Sequence, residues 1–223
     1  SAGRIELALP PREELAALCA EACAAWPSDL EGVLRVVCTR GPERGGPVTC
    51  YATLGEILET QLRQRREGVR IATASLGFTA AARDGAPWML GGVKSLSYAV
   101  NMASQRWAAK QGLDDVLWVS ADGYALEAPT STLLWLEGDV LFTVPVTTGI
   151  LPGTTARHLL DRAPELDWRA GERMVRPAEL QAADGVWLVS SVRGVTAVRE
   201  LDGTALTVSP QHKALQELAG FDT

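Results

Sequence analysis

Short apolar runs joined through tight turns punctuate this sequence, and their spacing limits the fold more than any single residue does. Val116-Leu117-Trp118-Val119 runs into Ala121-Asp122-Gly123-Tyr124, and Asp-Gly tolerates the positive φ of a hairpin turn. Residues 133–136 and 140–143 flank Gly138-Asp139 in the same way, and residues 195–201 and 205–208 flank a third turn. Residues 32–39 and 48–53 are predicted strands joined across the Gly- and Pro-rich segment 41–47, a hairpin with a wide loop. Strands joined by turns this short pair antiparallel, whereas parallel neighbours need a crossover of about a dozen residues or more. The order therefore predicts an α+β chain rather than a doubly wound parallel sheet.

Helical signals fall between these hairpins. Pro10-Pro11-Arg12-Glu13-Glu14 puts proline and acids in a first turn, and Leu15, Leu18, Cys19, Ala22 and Trp26 then recur at helical spacing. A second helix is predicted over 98–110 and stopped by Gly112; another begins at Gly153, and Leu215 and Leu218 lie on a closing helix. Ile57, Leu58 and Leu62 form the apolar side of a short helix whose outer face, Arg63, Arg65, Arg66 and Glu67, reads as solvated. Residues 69–74 and 186–190 are strands. Residues 75–92 mix Gly, Ala and Pro without periodicity and read as a linker between two lobes.

Composition removes several classes of function. With 223 residues, a net charge of -6 and no basic run, the chain is not built for nucleic acid. No apolar stretch reaches the length of a membrane span, and the start lacks a signal-peptide pattern. Cys19 and Cys23 are four apart on one helix face and read as small core hydrophobes. With Cys38, Cys50 and two distant histidines they do not make zinc spacing, so no metal is expected, and a reducing cytoplasm fits the free thiols.

Three features of residues 91–157 could carry chemistry. Lys94 follows two glycines, where backbone can approach a ligand closely, and a lysine in a buried setting can form a covalent link to a carbonyl. On local sequence alone, a surface lysine at a loop-to-helix junction is the commoner case. Glu127 follows an apolar strand, where a charge is costly unless partnered; the plainer alternative is an edge acid facing water. Gly153, Thr154 and Thr155 offer backbone N–H groups, two hydroxyls and the positive end of a helix dipole, which suits a phosphate or simply begins a helix.

Order and neighbours turn these into one pattern. Lys94 is followed by Tyr98 and Asn101, then Gly112-Leu113-Asp114-Asp115-Val116-Leu117, Asp122-Gly123 and Glu127. Leu141-Phe142-Thr143-Val144-Pro145, Gly149-Ile150-Leu151-Pro152-Gly153, Arg157 and Ser190-Ser191-Val192-Arg193-Gly194-Val195-Thr196 continue it. This succession resembles the fold-type IV pyridoxal phosphate enzymes, or class IV aminotransferases. The family includes branched-chain and D-amino acid aminotransferases and 4-amino-4-deoxychorismate lyase.

The resemblance implies two lobes: residues 1–80 as the C-terminal part of a small lobe, a linker at 81–92, and a large cofactor-binding lobe over 93–223. The large lobe would be a mixed, mostly antiparallel sheet or barrel with helices. Lys94 would hold pyridoxal 5'-phosphate covalently and shuttle the proton at the substrate's α-carbon. Glu127 would accept the pyridine N–H, Gly153, Thr154 and Thr155 would bind the phosphate, and Ser191 would add a hydroxyl. Arg193 would face an acidic substrate, as in the lyase branch, which releases pyruvate and 4-aminobenzoate. A small-molecule amino substrate and a homodimer are implied, with no nucleic acid or membrane partner.

Three departures stand beside the match. Ser131-Thr132-Leu133-Leu134 replaces an asparagine-and-aromatic segment that supports the glutamate, and Ala197 replaces a proline. The family's N-terminal strands and a phosphate-binding arginine have no counterpart here, so the small lobe is expected to be incomplete. An aminotransferase of branched-chain or D-amino acids is the alternative to the lyase, and a non-catalytic relative is a further one.

Overall fold

The computed structural model describes residues 1–221. The chain divides into two compact units, Ser1–Gln61 and Leu62–Thr223. In the first, α1 (Arg12–Ala24) begins directly after Pro11, and β1 (Gly32–Thr39) pairs antiparallel with β2 (Thr49–Glu56) across the wide loop. The face of α1 formed by Leu15, Leu18, Cys19 and Ala22 is only half-buried, and Val37 is the one fully buried hydrophobic residue described in this unit.

The helix α2 (Glu59–Glu67) leads into β3 (Val69–Ser75), and the remaining elements follow in order. They are α3 (Ala99–Lys110), β4 (Asp115–Val119), β5 (Thr132–Glu137), β6 (Val140–Thr143), α4 (Thr154–Arg162), β7 (Arg169–Glu172), α5 (Pro177–Leu180), β8 (Gly185–Ser190), β9 (Gly194–Leu201), β10 (Thr204–Ala205) and α6 (His212–Leu218). One eight-stranded sheet runs β4-β3-β9-β8-β5-β6-β7, with β10 on β9. The pairs β5/β6, β5/β8, β8/β9 and β9/β10 are antiparallel, while β3/β4, β3/β9 and β6/β7 are parallel. The α+β expectation of a mixed, mostly antiparallel sheet agrees with this order.

Strand alternation explains why the sheet's centre is apolar on both faces. In β5, Leu133 and Trp135 enter one cluster with Val186, Leu188, Val198 and Leu201. Leu134 and Leu136 enter the other with Trp187, Val189, Val195 and Ala197, covered by Ala156 and Leu159 of α4 and by Leu215 and Leu218 of α6. Each such side chain stabilises the fold by about 2 kcal/mol when fully buried.

The two compact units divide at Gln61/Leu62, and β3 hydrogen-bonds between β4 and β9 in the large sheet. Residues 81–92 fall within the second unit. Arg65, expected on a solvated face, is 5% exposed; its Nη2 donates to the Val192 carbonyl at 2.5 Å, and its guanidinium lies over Phe221. The last hairpin is shorter than expected, since its return strand is only Thr204–Ala205.

Candidate active site

Lys94 is delivered by a turn that only glycine makes cheaply. Gly92 has φ 69°, and its N–H donates to the Gly149 carbonyl at 2.9 Å, which fixes the backbone two residues before the lysine. Lys94 is exposed; its Nζ donates to the Tyr98 hydroxyl and lies 4.9 Å from that ring's centroid. Tyr98 stands at the N-terminus of α3, so a rigid helix sets the reach of the amine. The same helix ties down the segment after Glu127, since Asn101 Nδ2 donates to the Pro129 carbonyl and Gln105 Nε2 to Thr130 Oγ1.

Glu127 does not lie on a regular return strand. A single bridge joins Val119 to Ala125, and Trp118 N–H then donates to the Glu127 carbonyl at 2.9 Å, so β4 holds its backbone without continuing the ladder. Glu127 is half-buried, and desolvation pushes its carboxyl up to about 7. The Leu151 N–H, 3.1 Å from Oε2, opposes that rise, as do the positive charges of Arg83 and Lys94. The carboxyl thus draws support from the loop before α4, where residues 131–134 lack the family's asparagine-and-aromatic segment.

That loop ends in Gly153, the N-cap of α4, with no side chain capping the helix. A Cβ at Gly153 would lie 2.4 Å from Thr132 Oγ1, so the loop and β5 approach as closely as glycine allows. The first N–H groups of α4, on Thr154 and Thr155, are left pointing out of the helix start, where the dipole favours an anion. A cavity of about 690 Å³ opens there, lined by Thr132, Leu151, Gly153, Thr154 and Arg157 among others. Lys94 and Glu127 are not among its lining residues, although Leu151 serves both places. The Lys94–Glu127 side holds the amine and the desolvated acid.

The later loop separates its two candidate residues. Ser191 stands exposed at the turn between β8 and β9, available to a ligand. Arg193, expected to face a substrate, is 5% exposed and its Nη2 pairs with Asp115 Oδ2 at 2.5 Å, the acid itself being fully buried. One edge of the guanidinium is thus held by an internal ion pair, through Nη2. Sequence reasoning also passed over Arg83 and gave Tyr98 no role; an isolated cation between Phe78 and the Gly91-Gly92 pair was the available signal.

The match to known proteins decides among these chemistries. The model of the family described as amino-transferase class IV matches residues 1–201. The chain belongs to that family. Class IV membership makes it a pyridoxal phosphate-dependent enzyme. A bifunctional aminodeoxychorismate lyase / D-amino acid transaminase of Mycobacterium tuberculosis is 39% identical over 195 residues, covering 84% of this chain and 68% of that protein. An aminotransferase from the same organism, solved in a PLP-bound form, superposes with a TM-score of 0.94 at 36% identity, covering 99% of this chain and 78% of that one. A fold IV transaminase from Curtobacterium pusillum follows at a TM-score of 0.89 and 34% identity, with coverage of 99% and 78%.

The residues of this class IV chain fit the cofactor. An exposed amine, a half-buried carboxylate and an uncapped helix start with a glycine cradle are the three kinds of contact that its aldehyde, ring nitrogen and phosphate require. Among the described residues, no cluster of His, Cys, Asp and Glu could hold a metal ion, and no helix is long and apolar enough to cross a membrane.

Proposed function

We propose that this class IV chain is a 4-amino-4-deoxychorismate lyase, releasing pyruvate and 4-aminobenzoate, a folate precursor. The observation that carries the chemical part is an exposed Lys94 amine whose charge reaches a Glu127 carboxyl that desolvation pushes up to about 7. The substrate rests on the relative that shares 39% of its residues and whose name includes that lyase activity. The same name includes D-amino acid transamination, which is the second reading. Both reactions begin with loss of the α-carbon proton of an amino substrate.

Pyridoxal phosphate, when bound, supplies the electron sink that makes that proton acidic. Everything else falls to the chain. Lys94 anchors the cofactor and moves the α-carbon proton, with Tyr98 orienting its Nζ. Glu127 keeps a proton on the ring nitrogen, because a carboxylate in a desolvated setting makes a strong charge-assisted hydrogen bond. The N–H groups of Thr154 and Thr155, with the Ser191 hydroxyl, take the phosphate and stop the ring from tilting. Arg193, anchored by Nη2 on Asp115, fixes the loop that carries Ser191. A reducing cytoplasm fits the four free cysteines, and a homodimer, as the family resemblance implies, completes the reading.

Two measurements test this reading. Pyridoxal phosphate added to the protein should give the visible absorbance of a lysine-bound cofactor, and Lys94→Ala should abolish it; equal absorbance in the variant would sink the assignment. Aminodeoxychorismate should yield pyruvate with no keto-acid acceptor present. Turnover only after an acceptor is added would replace the lyase by the transaminase.

A further inference from the structure

Residues 75–92 carry one arginine, and it sits where the two halves of the site meet. Arg83 Nη1 donates to the Gly149 carbonyl at 2.7 Å, the same oxygen that accepts the Gly92 N–H at 2.9 Å. Two residues further on, the Leu151 N–H donates to Glu127 Oε2 at 3.1 Å. The three residues 149–151 therefore act as a clip: the carbonyl at one end holds the segment that carries Lys94, and the amide at the other holds Glu127.

Packing around Arg83 leaves it little freedom. A Cβ at Gly149 would lie 2.4 Å from Arg83 Cδ, and one at Gly91 would lie 2.9 Å from the same atom. The guanidinium stacks over Phe78 at 4.8 Å, and the Phe78 carbonyl is itself held by the Ala121 N–H at 2.7 Å, just past β4. Stacking on a ring while donating sideways to a carbonyl is a task for a planar guanidinium, which a lysine ammonium does not reproduce.

We propose that Arg83 is a positioning residue that sets Lys94 against Glu127 by locking the clip at residues 149–151. It also brings positive charge to the half-buried carboxylate; Arg83 and Lys94 are the charged groups whose fields favour its ionised form. The proposal rests on the reading of Lys94 and Glu127 as the cofactor's amine and acid partners.

The test uses the whole chain and three variants, Arg83→Gln, Arg83→Lys and Gly149→Ala. At saturating pyridoxal phosphate, borohydride reduction followed by mass spectrometry reads how fast the cofactor becomes linked to Lys94. Carbon-13 NMR of labelled glutamate reads where Glu127 titrates in the unloaded chain. Arg83→Gln should slow linkage by about tenfold or more, as misplacement of reacting groups does, and should raise the pH at which Glu127 titrates. Arg83→Lys should restore the titration but not the linkage rate. Gly149→Ala keeps Arg83 but displaces it, so linkage should slow there too; it and Arg83→Lys decide the matter if the glutamine variant fails to fold. Wild-type linkage in folded Arg83→Gln, or full rescue of linkage by Arg83→Lys, would overturn the proposal. Undiminished linkage in Lys94→Ala would instead overturn the functional reading beneath it.

Discussion

At the scale of single residues, the site is built against stability. Glu127 has an ordinary carboxyl value of 4.5 in the unfolded chain and about 7 in the folded one, because burial penalises its charge. The folded state therefore binds the extra proton, and stability falls as pH rises from about 4.5 through about 7. The difference is worth about 3 kcal/mol at full ionisation. Glu127→Gln removes the titration: urea unfolding of the unloaded chain should show no difference at pH 4 and a variant more stable by up to about 3 kcal/mol at pH 8. The same variant should bind pyridoxal phosphate less tightly, having lost the charged partner of the ring nitrogen. A variant less stable than wild type at pH 8 would contradict the sign. The acid itself was legible in the sequence as a charge after an apolar run. Its partners were not, because Leu151 contributes a backbone N–H that any residue carries, and Arg83 reaches Glu127 only through folding.

At the scale of elements, the loop between β8 and β9 shows how much of a motif's placement depends on tertiary partners. Ser190-Ser191-Val192-Arg193-Gly194 was recognisable by its residues, yet spacing does not say which way an arginine points. The Arg193 N–H donates to Ser190 Oγ, and Thr196 Oγ1 donates to the Arg193 carbonyl. This local bonding turns the guanidinium inward onto Asp115 at the start of β4, while Arg65 of α2 holds the Val192 carbonyl from another side. Ser191 is then exposed because its neighbours are tied inward. A buried pair of this kind is costly to break and cheap to replace whole. Asp115→Ala should destabilise the chain by about 3 kcal/mol or more, leaving an uncompensated guanidinium. Joint replacement by Asp115→Leu and Arg193→Met should cost much less than the two single changes added together. Chemical denaturation of the four proteins measures this directly, and simple additivity would rule out the pair as a coupled unit.

At the scale of the whole chain, the two units differ in how much apolar surface they bury, and that difference has a dynamic consequence. Turn chemistry made the hairpins legible, but β3 looks like any short strand; only its parallel pairing with β4 and β9 shows where it belongs. In Leu62–Thr223, β5 and β8 contribute Leu133, Leu134, Trp135, Trp187 and Leu188, all completely buried, to cores on both faces of the sheet. In Ser1–Gln61, β1 and β2 form a two-stranded sheet with Val37 as its buried hydrophobic residue, beside a helix with none. A two-stranded hairpin is marginal in water unless other packing supports it. Local opening free energy tracks buried apolar contact, so amides in β1 and β2 should open at a small fraction of the cost of amides in β5 and β8. Native-state hydrogen exchange followed by mass spectrometry should show peptides from residues 32–56 deuterated well before those from 132–137 and 185–190. Equal protection of the two sets in the monomeric chain would mean that the hairpin draws stability from packing beyond its own unit.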